Sequence, residues 1–121
     1  MTGPAAREIV VLKIGGSVGA EVDPAVAAID ALSDAGRPVV VVHGGGPLIG
    51  EWSSRLGLET RFVRGLRVTD EPTRDVALAV LVGLANTTLV AALIARGVAA
   101  VGRAGLAGAL LRAERADAER G

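Results

Sequence analysis

The chain has 121 residues, with thirteen basic and thirteen acidic side chains, one histidine and no cysteine. This length fits one domain, and the balanced charge with only one tryptophan and one phenylalanine disfavours nucleic-acid binding. The absence of cysteine excludes disulfides and thiolate metal sites, and a single histidine excludes a multi-histidine metal site. We therefore expect no metal ion held by the chain itself and a cytoplasmic location.

The first apolar run, residues 9–12, is rich in β-branched side chains and apolar on both faces, which predicts a buried parallel strand. It leads into Lys13, the only lysine among the thirteen basic residues, and then into Gly15 and Gly16. A compact ammonium suits a phosphoryl oxygen better than a planar guanidinium does. Chance placement of the lysine is the alternative.

The next segments continue an alternation of strands and helices. A helix is predicted with Asp23 as its N-cap and Pro24 as its first residue, and it ends at Gly36. A second buried strand covers residues 38–42, and a helix opened by Pro47 ends at Gly57. The order β, α, β, α predicts an α/β fold. We expect a three-layer α/β/α sandwich with a mainly parallel central sheet.

Two glycine loops follow these strands, one at Gly15 and Gly16 and the other at Gly44–Gly46. Ligands of parallel α/β sheets bind at the carboxyl ends of the strands, where glycine lets an anion approach the backbone amides. Neither loop matches a standard nucleotide-binding motif. In the second loop, Ile49 stands where G-x-G-x-x-G needs glycine, and in the first loop Lys13 precedes the glycines, whereas the P-loop motif needs its lysine after them. For His43 we favour a hydrogen bond to the adjacent loop over a general base.

A polar segment, residues 64–70, interrupts the hydrophobic pattern after a weak strand signal at residues 59–63. It can fold back as a hairpin or a lid. Arg67 could hold a carboxylate through two parallel hydrogen bonds, with Arg64 as a competitor for that role. A solvated surface arginine is the alternative.

Residues 76–95 contain no charge and are long enough to cross a bilayer. We favour two buried helices instead, the first capped by Thr69 or Asp70 and the second capped by Asn86. A strand is predicted over residues 98–101.

Three segments, in this order and separation, resemble the amino-terminal lobe of the acetylglutamate kinases within the amino acid kinase family. They are Leu12-Lys13-Ile14-Gly15-Gly16-Ser17, Val42-His43-Gly44-Gly45-Gly46-Pro47 and Gly65-Leu66-Arg67-Val68-Thr69-Asp70. The resemblance implies phosphorylation of the γ-carboxylate of N-acetyl-L-glutamate in arginine biosynthesis, with ATP and Mg as co-substrate. It also implies a homodimer or higher oligomer. From the charge balance and the polar residues within the apolar run we expect no nucleic-acid or membrane partner.

The resemblance implies a role for each matching residue. Lys13 would stabilise the phosphoryl group in transit, and Gly15 and Gly16 would cradle the terminal phosphates of the nucleotide. The acyl substrate would be held by Gly45 and Gly46, and its α-carboxylate by Arg67. Residues 1–112 would form the lobe and residues 113–121 a charged tail.

The sequence departs from the family at two places. The turn at residues 102–108 lacks the serine and the acid of the family pattern, and the carboxyl-terminal ATP-binding lobe is missing from the chain. We therefore expect little or no kinase activity from the chain alone. The open alternatives are a kinase for carrier-bound α-aminoadipate in lysine biosynthesis, a non-catalytic ligand-binding or assembly module, and a membrane-anchored domain.

Overall fold

The computed structural model describes residues 7–16 and 22–114 of the chain. Its elements, in chain order, are β1 (Val10–Ile14), α1 (Val22–Asp34), β2 (Val39–His43), α2 (Gly46–Arg55), β3 (Phe62–Val63), β4 (Leu66–Arg67), α3 (Glu71–Leu78), a π-helical segment (Ala79–Ala85), α4 (Asn86–Ala95) and a 3-10 turn (Ala107–Ala109).

Strands β1 and β2 are parallel neighbours, in a register that runs from Val10 opposite Val39 to Ile14 opposite His43. Helices α1 and α4 pack on one face of this pair, where the buried side chains form the main core: Ile14, Val26, Ile29, Ala85, Leu89 and Leu93. The predicted α/β class with a parallel sheet and helices is confirmed.

The other face of the strand pair is open. Lys13 and the valines at positions 11, 40 and 42 are exposed there, and the exposed fraction of the three valine side chains is 50% or more. Parallel strands are normally covered on both faces. The helices between residues 22 and 114 therefore cover one side of the sheet and leave an apolar surface on the other.

Several helix boundaries follow the sequence signals. Gly36, Gly57 and Gly97 adopt a left-handed conformation after α1, α2 and α4, and Gly36 and Gly57 are the predicted ends of their helices. Asp70 caps α3, because its Oδ1 accepts a hydrogen bond from the Thr73 amide at 3.0 Å. The predicted N-cap at Asp23 is wrong, because Asp23 lies inside the first turn of α1, where the helix dipole stabilises a carboxylate.

The prediction of two helices meeting near Asn86 is wrong. Residues 71–95 form one continuous helix, and the backbone of Asn86 is helical with φ −62° and ψ −45°. This helix is long and apolar enough to cross a membrane. Its buried side chains are Ala85, Leu89 and Leu93 in the main core, and Val76 and Val80 in a second cluster with Ile49 of α2.

Two predicted strands differ from the structure. The signal at residues 59–63 yields only β3, which pairs with β4 as an antiparallel hairpin. Residues 98–101 form no ladder within the described ranges. They line, with β2, a cavity of about 1060 Å³. Most of the predicted tail, residues 115–121, lies outside the described residues.

Candidate active site

The two glycine loops lie side by side because β1 and β2 are parallel and in register. The Gly44 amide donates a hydrogen bond to the Ile14 carbonyl at 3.2 Å. A Cβ placed on Gly44 would lie 4.0 Å from the amide nitrogen of Gly16. The structure thus brings both candidate anion-binding loops to the carboxyl ends of the strands, at one edge of the sheet.

The second loop is packed tightly against the long helix. Gly45 is buried at the start of α2, and its carbonyl accepts a hydrogen bond from the Ile49 amide at 2.9 Å. A Cβ on Gly45 would come within 2.8 Å of Leu81 Cδ2 and 4.0 Å of Ala85 Cβ. Because residue 45 is a glycine without a side chain, the π-helical segment can pack directly against the loop.

Helix α2 begins immediately after this loop, with Gly46 as its first residue and Pro47 as its second. The first backbone amides of a helix have no intrahelical acceptor, and the helix dipole is positive at this end. Such an arrangement suits a carboxylate or a phosphate.

Arg67 reaches this same helix start from the hairpin. Its Nη2 donates to the Gly46 carbonyl at 3.1 Å, and its Nη1 donates to Thr60 Oγ1 at 3.3 Å. Its guanidinium carbon lies 4.9 Å from the centre of the Phe62 ring. Arg64, the competing arginine, instead lies exposed in the hairpin turn with a φ of 51°. The structure therefore places Arg67, and not Arg64, beside the glycine loop.

The first loop has far fewer neighbours among the described residues. A Cβ on Gly15 or Gly16 would meet no atom of these residues within 4 Å, although Gly16 has a left-handed φ of 63° that favours glycine. Lys13 lies opposite Val42 on the open face of the sheet. His43 Nδ1 lies 3.2 Å from the Gly44 carbonyl, which fits the loop hydrogen bond favoured from the sequence.

Sequence reasoning missed four neighbours of the candidate site: Thr60, Phe62, Leu81 and Ala85. Phe62 had a detectable signal, since it becomes the cross-strand partner of Arg67 once the hairpin register is known. Leu81 and Ala85 gave none, because their contact with Gly45 depends on how a distant helix packs.

The charges at the site are basic. None of the ion pairs within residues 7–16 and 22–114 involves Lys13 or Arg67. The same ranges contain no cluster of three His, Cys, Asp or Glu side chains that could hold a metal ion. The candidate site thus has two positive side chains, Lys13 and Arg67, and no acidic cluster within these ranges.

The sequence profile of the amino acid kinase family matches residues 8–120. This chain belongs to the amino acid kinase family. It is 47% identical over 115 residues to the acetylglutamate kinase of Dehalococcoides mccartyi strain 195, which covers 95% of the chain and 42% of that relative. It is 46% identical over 108 residues to the acetylglutamate kinase of Methanopyrus kandleri, covering 87% of the chain and 40% of the relative.

A solved structure shares the fold. The crystal structure of smu.665 from Streptococcus mutans UA159 superposes with a TM-score of 0.66 and 30% sequence identity, covering 74% of this chain and 37% of the other. The chain thus spans about 40% of the length of these two curated relatives, in their amino-terminal portion.

Proposed function

We propose that this chain is the amino-terminal, acyl-substrate-binding lobe of an acetylglutamate kinase. Such an enzyme transfers the γ-phosphoryl group of ATP to the γ-carboxylate of N-acetyl-L-glutamate in arginine biosynthesis. The observation that carries the proposal is the convergence of the two glycine loops with Arg67 at the start of α2. The identity to two acetylglutamate kinases supports the same substrate.

The substrate would bind on the Gly45 and Gly46 side of the site. Backbone amides at the helix start would hold the acyl and carboxylate oxygens of the substrate. Arg67 would bind the substrate's α-carboxylate with those guanidinium N–H donors that are not used in hydrogen bonds to Gly46 and Thr60. Arginine has five N–H donors, and the two hydrogen bonds to Gly46 and Thr60 use two of them.

The phosphoryl group would be received on the other side of the site, by Gly15, Gly16 and Lys13. Phosphoryl transfer depends on positioned positive charge and backbone donors rather than on a covalent nucleophile. Lys13 would supply that charge as the group passes from ATP to the substrate carboxylate. Mg would be bound to the nucleotide phosphates.

The nucleotide half of the site would come from a carboxyl-terminal lobe outside this chain. The open sheet face beside Lys13, with its three exposed valines, supports this view, because a second lobe would cover an apolar surface there. We further propose a cytoplasmic location and self-association through the exposed apolar side chains of the long helix: Leu78, Val82, Leu84 and Ile94.

Reconstitution would test the proposed function. The purified chain is mixed with the portion of the Dehalococcoides mccartyi kinase that lies beyond the matched residues, and phosphorylation of acetylglutamate by ATP is measured. We expect turnover only when both pieces are present. Carrier-bound α-aminoadipate serves as the competing substrate for the lysine-biosynthesis alternative.

The positive control is the relative's own amino-terminal portion in place of this chain. If that control is active and this chain is inactive while still binding acetylglutamate, the chain is a non-catalytic binding module. If it neither binds nor turns over acetylglutamate, the proposed function is wrong.

A further inference from the structure

The environment of Arg67 contains only neutral partners. A carbonyl oxygen, a hydroxyl oxygen and an aromatic ring contact its guanidinium, and no carboxylate pairs with it within residues 7–16 and 22–114. An arginine paired with a carboxylate has its charge largely compensated, whereas neutral acceptors fix its orientation and leave its charge available.

Thr60 and Phe62 contact this guanidinium from different sides. The Thr60 hydroxyl accepts from Nη1 at 3.3 Å, and the guanidinium carbon lies over the Phe62 ring, 4.9 Å from the ring centre. A cation over the face of an aromatic ring at this distance is attracted by the ring. Together they restrict a long side chain that would otherwise sample many rotamers.

The hairpin explains why these residues can act together. Phe62 is the direct cross-strand partner of Arg67, and the Val68 amide extends the pairing by donating to the Arg61 carbonyl at 2.9 Å. Side chains directly opposite in an antiparallel pair lie close enough to interact. The hairpin of two-residue strands therefore places Phe62 directly beside Arg67, where it can support the arginine side chain.

We propose that Thr60 and Phe62 are positioning residues that hold Arg67 against the start of α2, so that its remaining donors point at the carboxylate of an acidic ligand. This inference rests on the proposed function for the identity of the ligand. The positioning itself can be measured without any ligand.

The first experiment measures binding of N-acetyl-L-glutamate to the full 121-residue chain by calorimetry. Thr60→Val removes the hydroxyl acceptor without changing the side-chain shape, and Thr60→Ser keeps the hydroxyl acceptor. We expect about tenfold weaker binding for Thr60→Val, recovery in Thr60→Ser, and a similar loss for Phe62→Leu, in line with a charged-group hydrogen bond or a stacked cation.

Thr69→Val is the matched control. Its hydroxyl belongs to the same region but donates to the Arg67 backbone carbonyl at 3.1 Å and does not contact the guanidinium. We expect its affinity to stay within about twofold of the original chain. A second control ligand, 4-acetamidobutyrate, lacks the α-carboxylate, and its weaker binding should not respond to Thr60→Val.

A double-mutant cycle separates positioning from general damage. In an Arg67→Ala background, Thr60→Val should cause no further loss of affinity, because the group it orients is gone. An equal loss in both backgrounds would overturn the inference. Phe62→Leu provides the same cycle if Thr60→Val fails to fold, since the Phe62 side chain is largely exposed.

The ligand-free experiment records the guanidinium nitrogen signals of Arg67 by NMR. Restricted rotation should give separate Nη signals in the original chain and in Thr60→Ser, and these should merge in Thr60→Val. If the chain does not bind acetylglutamate but these signals behave as expected, the proposed function fails and the positioning role stands. Signals that are identical in Thr60→Val and the original chain would overturn the positioning role.

Discussion

The two glycine loops of the site are neighbours in space, yet their surroundings differ. In the loop at Gly44–Gly46, Gly45 is buried against the long helix and Gly46 is contacted by Arg67, whereas a Cβ on Gly15 or Gly16 would meet no described residue within 4 Å. The packed loop belongs to the half of the site that we assign to the acyl substrate. The open loop belongs to the half that a nucleotide and a second lobe would complete.

This difference indicates that the two halves of the site depend on different parts of the protein. The substrate half depends on contacts made within residues 22–114, so it should be organised in the isolated chain. Within the described residues, the phosphate half contains only the end of β1 and two glycines without close neighbours, so we expect it to become functional only with additional protein. The following predictions test that division.

The largest expected effect concerns Lys13. In the reconstituted enzyme, Lys13→Ala should lower kcat by about a hundredfold or more, because the lost charge acts on the transferring phosphoryl group. The same substitution in the isolated chain should leave the affinity for acetylglutamate unchanged. Steady-state kinetics and calorimetry measure the two effects, and near-normal turnover in the variant would refute the role of Lys13.

Arg67 should show the opposite behaviour. Arg67→Ala should raise KM for acetylglutamate by about ten- to a hundredfold with a smaller change in kcat, since a carboxylate clamp acts before the chemical step as well as during it. Arg64→Ala is the matched control, because that arginine lies in the hairpin turn. An unchanged KM in Arg67→Ala would count against the clamp.

A pair of glycine substitutions tests the packing difference itself. Gly45→Val should lower the free energy of unfolding by about 1–3 kcal/mol, because its side chain would press on Leu81 and Ala85. Gly15→Val should have a much smaller effect, since a Cβ at that position would meet no described residue within 4 Å. Denaturant unfolding of both variants measures the comparison, and equal losses would show that the two loops are equally packed.

The smallest effect is expected at Asp70, which begins the long helix that supports the packed loop. Hydrogen bonds from Thr73 lower the pKa of the Asp70 carboxyl below its ordinary value of 3.8. The stabilisation is therefore complete above that value and is lost as the pH falls through the folded-state pKa.

Asp70→Asn keeps a capping oxygen but cannot titrate. The difference in unfolding temperature between the original chain and Asp70→Asn should shrink as the pH is lowered from about 5 to 3. Asp70→Ala, which removes the cap, should lower the unfolding temperature at neutral pH. A constant difference across this pH range would show that Asp70 does not couple to folding.

Much of the first half of the fold could be predicted from sequence because its signals are local. The valine-rich strands, the helix opened by Pro47 and the left-handed glycines at 36, 57 and 97 each depend on neighbouring residues alone. The continuous helix through Asn86 could not be predicted in the same way. Its backbone is held by tertiary packing, which overrides the capping preference of asparagine.

The candidate site shows the same limit. Lys13, the two glycine loops and Arg67 stand out as residue types and as segments resembling a known family. The residues that support them cannot be recognised in the sequence, because Thr60 and Leu81 contact the site only after the hairpin and the helix have folded. Sequence therefore indicates the groups that would touch ligands, and the structure is needed to find those that hold them.

Calorimetric titration of the isolated chain with each ligand separately tests the division between the two halves most directly. We predict that N-acetyl-L-glutamate binds and that Mg-ATP shows no measurable binding, because only the substrate half is organised within this chain. Binding of Mg-ATP without binding of acetylglutamate would contradict the assignment of both loops.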